Sequence, residues 1–169
     1  IIIGADLVPT KSNFDLFINA DIKNLISEEL FEIWKSSEIR IFNLEVPLVN
    51  KLSPIKKFGP DLAAPCNTIN GIKALEPTLL TLANNHILDH GISGLQSTLS
   101  LLNEKKISYT GISENIERSS EGFVIYGKYK VGVYACTETE FSVATEDQPG
   151  ANPFDMIKSF EHINNLKAK

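Results

Sequence analysis

The sequence predicts an α/β fold built on a mostly parallel sheet with flanking helices. Short apolar runs alternate along the chain with amphipathic segments of helical period, and this alternation is typical of βαβ units. The 169 residues suit one domain, and 43% of them are hydrophobic, which is enough to bury a core without disulfides or structural metals. We therefore expect a globular α/β domain spanning residues 1–169.

The first half of the chain supplies two strands and one clear helix. The β-branched run IIIGA at 1–5 predicts a buried strand, and EIRIFNLE at 38–45 predicts a second. Between them, SEELFEIWKSS reads as a helix with Ser27 as its N-cap. Its predicted apolar face consists of Leu30, Phe31, Ile33 and Trp34.

A proline-rich segment follows the second strand. Pro47, Pro54, Pro60 and Pro65 exclude a regular element, so this stretch is predicted to be a long loop, and loops of that length are often functional. A short helix, TINGIKAL, and a third strand, PTLLTLA at 77–83, come next.

The second half continues the alternation. The polar segment NNHILDHG is predicted to be a loop, and the helix after it has Ile92, Leu95, Leu99 and Leu102 on one face. ISYTG predicts a fourth strand, and GFVIYG with KYKVGVYACT predicts a hairpin turning at Gly127 and Lys128. The last helix is predicted to begin with Asn152 as cap and Pro153 at its first position. Its predicted apolar face comprises Phe154, Ile157, Phe160 and Ile163.

Composition and missing motifs exclude several functions. The net charge of −5 argues against a nucleic-acid binder. Cys66 and Cys136 form no CxxC pair, so a thiolate metal site is not expected, while a disulfide stays open. No signal peptide or membrane-spanning run is visible within residues 1–169, although a signal or anchor could precede Ile1, and no Walker, GxGxxG, GxSxG or HExxH motif occurs there. We expect a cytoplasmic or envelope-associated protein.

Polar side chains follow three successive predicted strands. In parallel sheets the carboxyl ends of the strands meet at one edge, where ligands bind. We therefore expect one polar cluster there, made of Asp6, Asn43, Glu45, Asn84, Asn85 and His86. Taken singly, Asp6 can also be a turn or capping residue, and Glu45 can belong to a salt bridge at the strand end.

The segment ANNHILDHG is the most informative. Amide oxygens and imidazole nitrogens are ligands for divalent metals, and a histidine beside a metal-held substrate can act as general acid or base. A second interpretation has Asp89 capping the helix near Ile92 and the asparagines making turns. The sequence does not indicate which way the side chain of His90 faces, and His162 is expected to be a solvated helix residue.

Two lysines stand in the proline-rich loop. Lys56 and Lys57 could draw an anionic substrate to the same edge of the sheet. The alternative is an ordinary solvated loop, which the pattern favours slightly.

These motifs together resemble a known family. GAD, NLEVPL, KKFGP, TLANNHILDHG and ISYTGISEN are similar to the CapA family of bacterial capsule-synthesis proteins, whose best-known members make or export poly-γ-glutamate. The resemblance implies the layered α/β/β/α fold of calcineurin-type metallophosphatases, with a two-metal hydrolase site. It implies Asp6, Glu45 and Asn85 as metal ligands and His86 as general acid, with catalytic support from Asn84 and Asp89. Asn43, Lys56 and Lys57 would assist substrate binding.

The chain departs from that pattern in three respects. Val8 stands where metallophosphatases have a histidine, and Glu45 replaces the usual bridging aspartate. No Gly-His-His-Pro-His-like stretch follows, so we expect the N-terminal part of the domain. Two metals need about eight ligand positions or more. We therefore expect Mn, Fe, Zn or Mg in a full-length protein, and a chain that alone binds metal weakly and is inactive.

Two functions follow from the resemblance. One is a metal-dependent hydrolase acting on a phosphoester or on the anionic capsule polymer. The other is a non-catalytic module that binds that polymer or docks on a capsule synthase complex. No nucleic-acid partner is expected, and an uncovered sheet face would favour self-association into a homo-oligomer.

Overall fold

The computed structural model of the protein describes residues 1–139 and 142–169. A four-stranded parallel sheet has the spatial order β1-β2-β3-β4, which is also the order along the chain. The strands are β1 (Ile2–Leu7), β2 (Arg40–Leu44), β3 (Leu79–Thr81) and β4 (Tyr109–Thr110). This sheet with its helices confirms the predicted α/β class and is consistent with a metallophosphatase-like α/β fold.

Helices fill the connections between the parallel strands. The first connection holds α1 (Phe14–Ile18), α2 (Ile22–Leu25) and α3 (Glu28–Ser36), the second a 3₁₀ turn and α4 (Ile69–Ala74), and the third α5 (Gly91–Glu104). Ser27 caps α3 as predicted, since its hydroxyl accepts from the Leu30 amide at 3.3 Å.

The main core lies between the sheet and these helices. Side chains from β2 and β3 pack against α4 and α5, and the fully buried members include Leu44, Leu80, Ile72, Leu95 and Leu102. The apolar face predicted for α5 is only partly buried, because Ile92 in its first turn remains 47% exposed. Burial of these aliphatic side chains stabilises the parallel sheet, and the sheet in turn holds the polar cluster at its edge.

The apolar face predicted for α3 is narrower than expected. Trp34 is buried, stacks on Phe42 with ring centroids 4.3 Å apart, and donates through Nε1 to the Leu75 carbonyl. Leu30 and Ile33 are about half exposed, because the helix meets the sheet mainly through Trp34. The helical period identified the helix correctly but overestimated its buried surface.

A hairpin covers part of the opposite face of the sheet. β6 (Phe123–Tyr126) and β7 (Lys130–Val133) pair antiparallel, as predicted, and Ile125 packs against Ile41 and Leu79 in a second core. The hairpin covers this face at β2 and β3, whereas Ile3 of β1, which pairs with Ile41, is 74% exposed, so part of the expected uncovered face is present. Between β4 and the hairpin lie β5 (Ile112–Ser113) and α6 (Ile116–Ser119), and β5 pairs with β8 (Gly150–Ala151).

The last helix, α7 (Met156–Lys167), begins later than predicted. Asp155, not Asn152, is its N-cap, and its carboxylate accepts from the amides of Ile157 and Lys158. Asn152 is instead buried and donates to the Ala135 carbonyl at 2.8 Å. The predicted apolar face is exposed at every position, with Phe154, Ile157, Phe160 and Ile163 all at least 37% accessible.

The proline-rich loop has no regular element, as predicted. A bridge between Leu48 and Ala64 closes its base, with the Val49 amide donating to the Ala64 carbonyl at 2.8 Å. Cys66 and Cys136 are free thiols. None of the helices in the described residues is both long and apolar enough to cross a membrane.

Candidate functional site at the carboxyl edge of the parallel sheet

The structure joins the ends of three strands through side-chain hydrogen bonds. Asn43 Nδ2 donates to Asp6 Oδ1 at 2.8 Å, and Asn84 Nδ2 donates to Asn43 Oδ1 at 3.3 Å. The Thr81 hydroxyl, which sequence analysis did not single out, also donates to Asn43 Oδ1 at 3.4 Å. The edge cluster expected from strand order is therefore present for Asp6, Asn43 and Asn84.

A bulge in β1 sets the alignment of this row. Ile3 pairs with Ile41, but Asp6 pairs with Asn43, so one extra residue of β1 is accommodated between the two pairs. Ala5 lies in this interval with a φ of 50°, in the left-handed region. Without the bulge, Asp6 would stand opposite Leu44. The local backbone irregularity thus places the carboxylate beside the Asn43 amide.

Asn84 supports the turn that follows β3. It is 6% exposed, its Nδ2 donates to the Leu44 carbonyl at 3.0 Å, and its Oδ1 accepts from the His86 amide at 3.0 Å. Both ends of the amide are therefore used inside the protein. The geometry gives Asn84 a role in positioning His86, whereas a direct catalytic role stays a prediction.

His86 is oriented by Asp89. Its Nδ1 lies 2.7 Å from Asp89 Oδ2. Because an ionised carboxylate only accepts hydrogen bonds, this contact places a proton on Nδ1, and in the neutral ring Nε2 then carries the free lone pair. In the described part of the chain Nε2 has no hydrogen-bond partner. His86 thus presents a nitrogen able to exchange a proton or bind a metal.

Asp89 and Lys57 form a buried ion pair. Their side chains are 0% and 2% exposed, and Lys57 Nζ donates to Asp89 Oδ1. The Leu62 amide donates to Asp89 Oδ2 at 2.7 Å. This corrects two expectations, since Asp89 does not cap α5, and Lys57 is not a solvated cation available to an anion. Lys56, by contrast, is exposed.

His90 anchors the proline-rich loop. It is 3% exposed, stands at the N-terminus of α5, and its Nδ1 accepts from the Ser53 amide at 2.8 Å. Its Nε2 is buried without a partner among the described residues. His162 lies away from the edge cluster, with its ring stacked on Tyr134 at 6.1 Å between centroids.

The three side chains expected to bind metal differ in their surroundings. Asp6 and Asn85 are exposed, and Glu45 is half-buried just beyond β2. Leu44 and Val46 are buried while Asn43 and Glu45 are not, because side chains alternate between the two faces of an extended backbone. Among the described residues Glu45 makes no salt bridge, so the alternative interpretation of Glu45 as part of a salt bridge at the strand end is not supported.

The donor chemistry suits a hard divalent cation, but the number of donors is small. Carboxylate and amide oxygens are ligands that Mg²⁺ and Mn²⁺ accept. Within residues 1–139 and 142–169, however, no three His, Cys, Asp or Glu side chains converge closely enough to hold a metal. The described residues thus fit part of a coordination sphere and not a closed centre.

A cavity of about 400 Å³ opens beside Asp6. Asp6 and Asn13 contribute polar groups to its wall, and Phe17, Trp34 and Phe42 contribute aromatic surface. A mostly apolar concavity with a few polar groups is the usual form of a small-molecule site. The edge cluster therefore has room for a ligand next to its first carboxylate.

Fold and site define an α/β protein whose acid–base side chains gather at the carboxyl edge of a parallel sheet, where such sheets bind ligands. A family model described as bacterial capsule synthesis protein PGA_cap matches residues 7–167. The chain belongs to that family of capsule-synthesis proteins, which confirms the resemblance found in its motifs.

A curated relative agrees with this assignment. The chain is 28% identical over 114 residues to a protein named capsule biosynthesis protein CapA of Bacillus anthracis. The match covers 63% of this chain and 27% of the relative's length. The chain thus corresponds to well under half of that relative.

Proposed function

We propose that the carboxyl edge of the sheet is part of a metal-dependent hydrolase site serving capsule polymer assembly. The observation that carries the proposal is the oriented His86–Asp89 pair next to the hydrogen-bonded row of Asp6, Asn43 and Asn84. Such a combination of an acid–base group with free carboxylate oxygens suits hydrolysis of a phosphoester, or of an amide or ester in the polymer.

His86 would transfer the proton in this reaction. Asp89 holds Nδ1, so Nε2 is the atom that takes a proton from, or returns one to, the reacting group. A positioned side chain of this kind contributes about 10²–10⁴-fold to a rate. Asn84 fixes the backbone of His86 and thus the direction of the ring.

A divalent metal would be held by Asp6, Glu45 and Asn85, together with ligands beyond those that converge in the described residues. When bound, it would act as a Lewis acid on the substrate oxygen. Asn43 would keep Asp6 in place, because its amide donates to one carboxylate oxygen and leaves the other free.

The test is a phosphoesterase assay on the natural full-length protein with Mn²⁺, together with elemental analysis of the protein purified without chelator. His86→Gln should lower kcat by about 100-fold or more. The matched control His162→Gln changes a histidine that lies outside the edge cluster and should leave kcat unchanged. Absence of turnover across metals and phosphoester, amide and ester substrates would refute the hydrolase proposal.

A polymer-binding module is the second candidate. It is favoured by the small number of metal donors that converge within residues 1–139 and 142–169, and by the exposed Lys56 on the loop. It predicts that an anionic polypeptide binds equally well with and without chelator, and that Lys56→Glu weakens this binding. Binding that vanishes with chelator would count against it.

A further inference from the structure

We propose that Lys57 is a positioning residue for His86, acting through the carboxylate of Asp89. This inference rests on the proposed function of His86 and extends it to the proline-rich loop. The three side chains form one contiguous group, because Lys57 Nζ lies 3.1 Å from His86 Nδ1 and also donates to Asp89.

The first step concerns the charge of Asp89. Its side chain is fully buried, and a buried carboxylate is costly unless it is paired and hydrogen-bonded. The Leu62 amide and the His86 ring supply two donors at Oδ2, and Lys57 supplies the cation at Oδ1. Among residues 1–139 and 142–169, Lys57 alone of the Lys and Arg side chains forms an ion pair with Asp89.

The second step concerns the proton on His86. Lysine has donors only, so the 3.1 Å approach of Nζ to Nδ1 and the 2.7 Å approach of Asp89 Oδ2 compete for one nitrogen. The shorter contact, to an atom that can only accept, assigns the proton to Nδ1. With the proton on Nδ1, Nζ cannot also donate to that nitrogen, so Lys57 acts on the ring through Asp89, because its bond to Oδ1 holds the carboxylate with Oδ2 facing Nδ1.

The third step concerns how Lys57 is itself held. Ile55 donates through its amide to the Asp89 carbonyl at 2.9 Å, and Leu62 donates to the Asp89 carboxylate. These two bonds flank Lys57 along the loop. The backbone on both sides of Lys57 is thus hydrogen-bonded to Asp89, the residue with which the Lys57 side chain pairs. These bonds restrict the loop and so hold the ammonium group of Lys57 beside Asp89.

The test measures the tautomer of His86 by long-range ¹H–¹⁵N correlation spectra of the ring nitrogens. Spectra are taken at a pH where the ring is uncharged in each protein, and His86→Gln identifies the signals. We expect only the Nδ1–H form in the wild type and a mixture of both forms in Lys57→Met. Lys57→Arg should restore the single form, and the exposed loop lysine variant Lys51→Met should not change it. An unchanged tautomer in folded Lys57→Met would overturn the proposal.

A second measurement uses the unmodified chain, since Lys57→Met leaves a buried carboxylate and can fail to fold. The ammonium protons of Lys57 should exchange slowly enough with water to be observed, and should show a nuclear Overhauser effect to the His86 ring. The Lys51 ammonium group should exchange rapidly. Exchange at Lys57 as fast as at Lys51 would also overturn the proposal.

Activity separates this proposal from the one on which it rests. In the active full-length protein, Lys57→Met should lower kcat about 10-fold or more with little change in KM, and Lys57→Arg should recover part of the loss. If His86→Gln leaves activity intact while the tautomer still depends on Lys57, the proposed function fails and the positioning role stands. If His86→Gln abolishes activity and Lys57→Met changes neither tautomer nor kcat, the positioning role fails alone.

Discussion

The Asn43 amide donates to the Asp6 carboxylate at 2.8 Å, across two strands whose residues are 37 positions apart in the chain. This bond holds one carboxylate oxygen of Asp6 in place and leaves the other carboxylate oxygen free. Asn43 in turn accepts from Asn84, so the three strand ends form one connected unit. A substitution at one of these three residues should therefore disturb the hydrogen bonds of the other two.

The buried amide of Asn84 is the first place to test this connection. Asn84→Ala removes hydrogen bonds to Leu44, Asn43 and the His86 amide, and leaves buried groups without partners. We expect a loss of about 2–3 kcal/mol in the free energy of unfolding, measured by urea denaturation. The control Asn67→Ala alters an exposed asparagine and should cost less than about 0.5 kcal/mol. Equal effects of the two variants would contradict the role assigned to Asn84.

The Lys57–Asp89 pair predicts a strong asymmetry between single and double variants. Asp89→Asn leaves the buried ammonium group of Lys57 without its counter-charge and should cost about 3–5 kcal/mol. The double variant Lys57→Met/Asp89→Asn buries no charge at this position and should be more stable than Asp89→Asn. Asp61→Asn, at an exposed loop position, serves as control. Denaturation curves in which the double variant is the least stable would be incompatible with this pairing.

The N-terminus of α7 should depend on pH. The backbone amides of Lys158 and Ile157 donate to the exposed Asp155 carboxylate, and these bonds hold its pKa below the usual value. Because the folded-state pKa is lowered, the stabilisation is complete above the unfolded-state pKa and is lost as the pH falls through the folded-state pKa. The amide signals of Ile157 and Lys158 should therefore shift on acidification. Asp155→Asn should remove that acid transition, and its persistence would exclude Asp155 as the cause.

Cys136 should react slowly with alkylating reagents. Burial raises the pKa of its thiol, so less of the reactive thiolate is present at neutral pH. We expect slow modification by iodoacetamide in the folded protein and rapid modification in urea, followed by peptide mass spectrometry. A folded-state rate equal to that in urea would show that Cys136 is not shielded as described.

Much of the fold follows from patterns within short segments. The alternation of apolar runs and helical periods predicted the four parallel strands, the hairpin and the N-cap at Ser27. It also predicted α7 but misplaced its start, because Asn152 and Asp155 are both N-cap residue types and local sequence does not decide between them. The carboxylate of Asp155 reaches two amides, whereas Asn152 is drawn into the core by the Ala135 carbonyl.

The candidate site was predictable in place but not in internal geometry. Strand order in a parallel sheet directs Asp6, Asn43 and Asn84 to one edge, and this requires only the topology. The bulge near Ala5, which aligns Asp6 with Asn43, depends on cross-strand pairing. No property of an isolated segment reveals it.

The sequence alone thus determined the α/β class and membership of the capsule-synthesis family, because both depend on local period or on contiguous motifs. It also determined the polar edge of the sheet, because that edge follows from the strand order that the class implies. The tertiary structure decided how the loop is used. Lys57 and Asp89 are 32 positions apart, and either one alone resembles a solvated charge or a helix cap. Only the folding of the proline-rich loop over the turn after β3 buries both charges, and the cost of burying either one singly then requires that they pair.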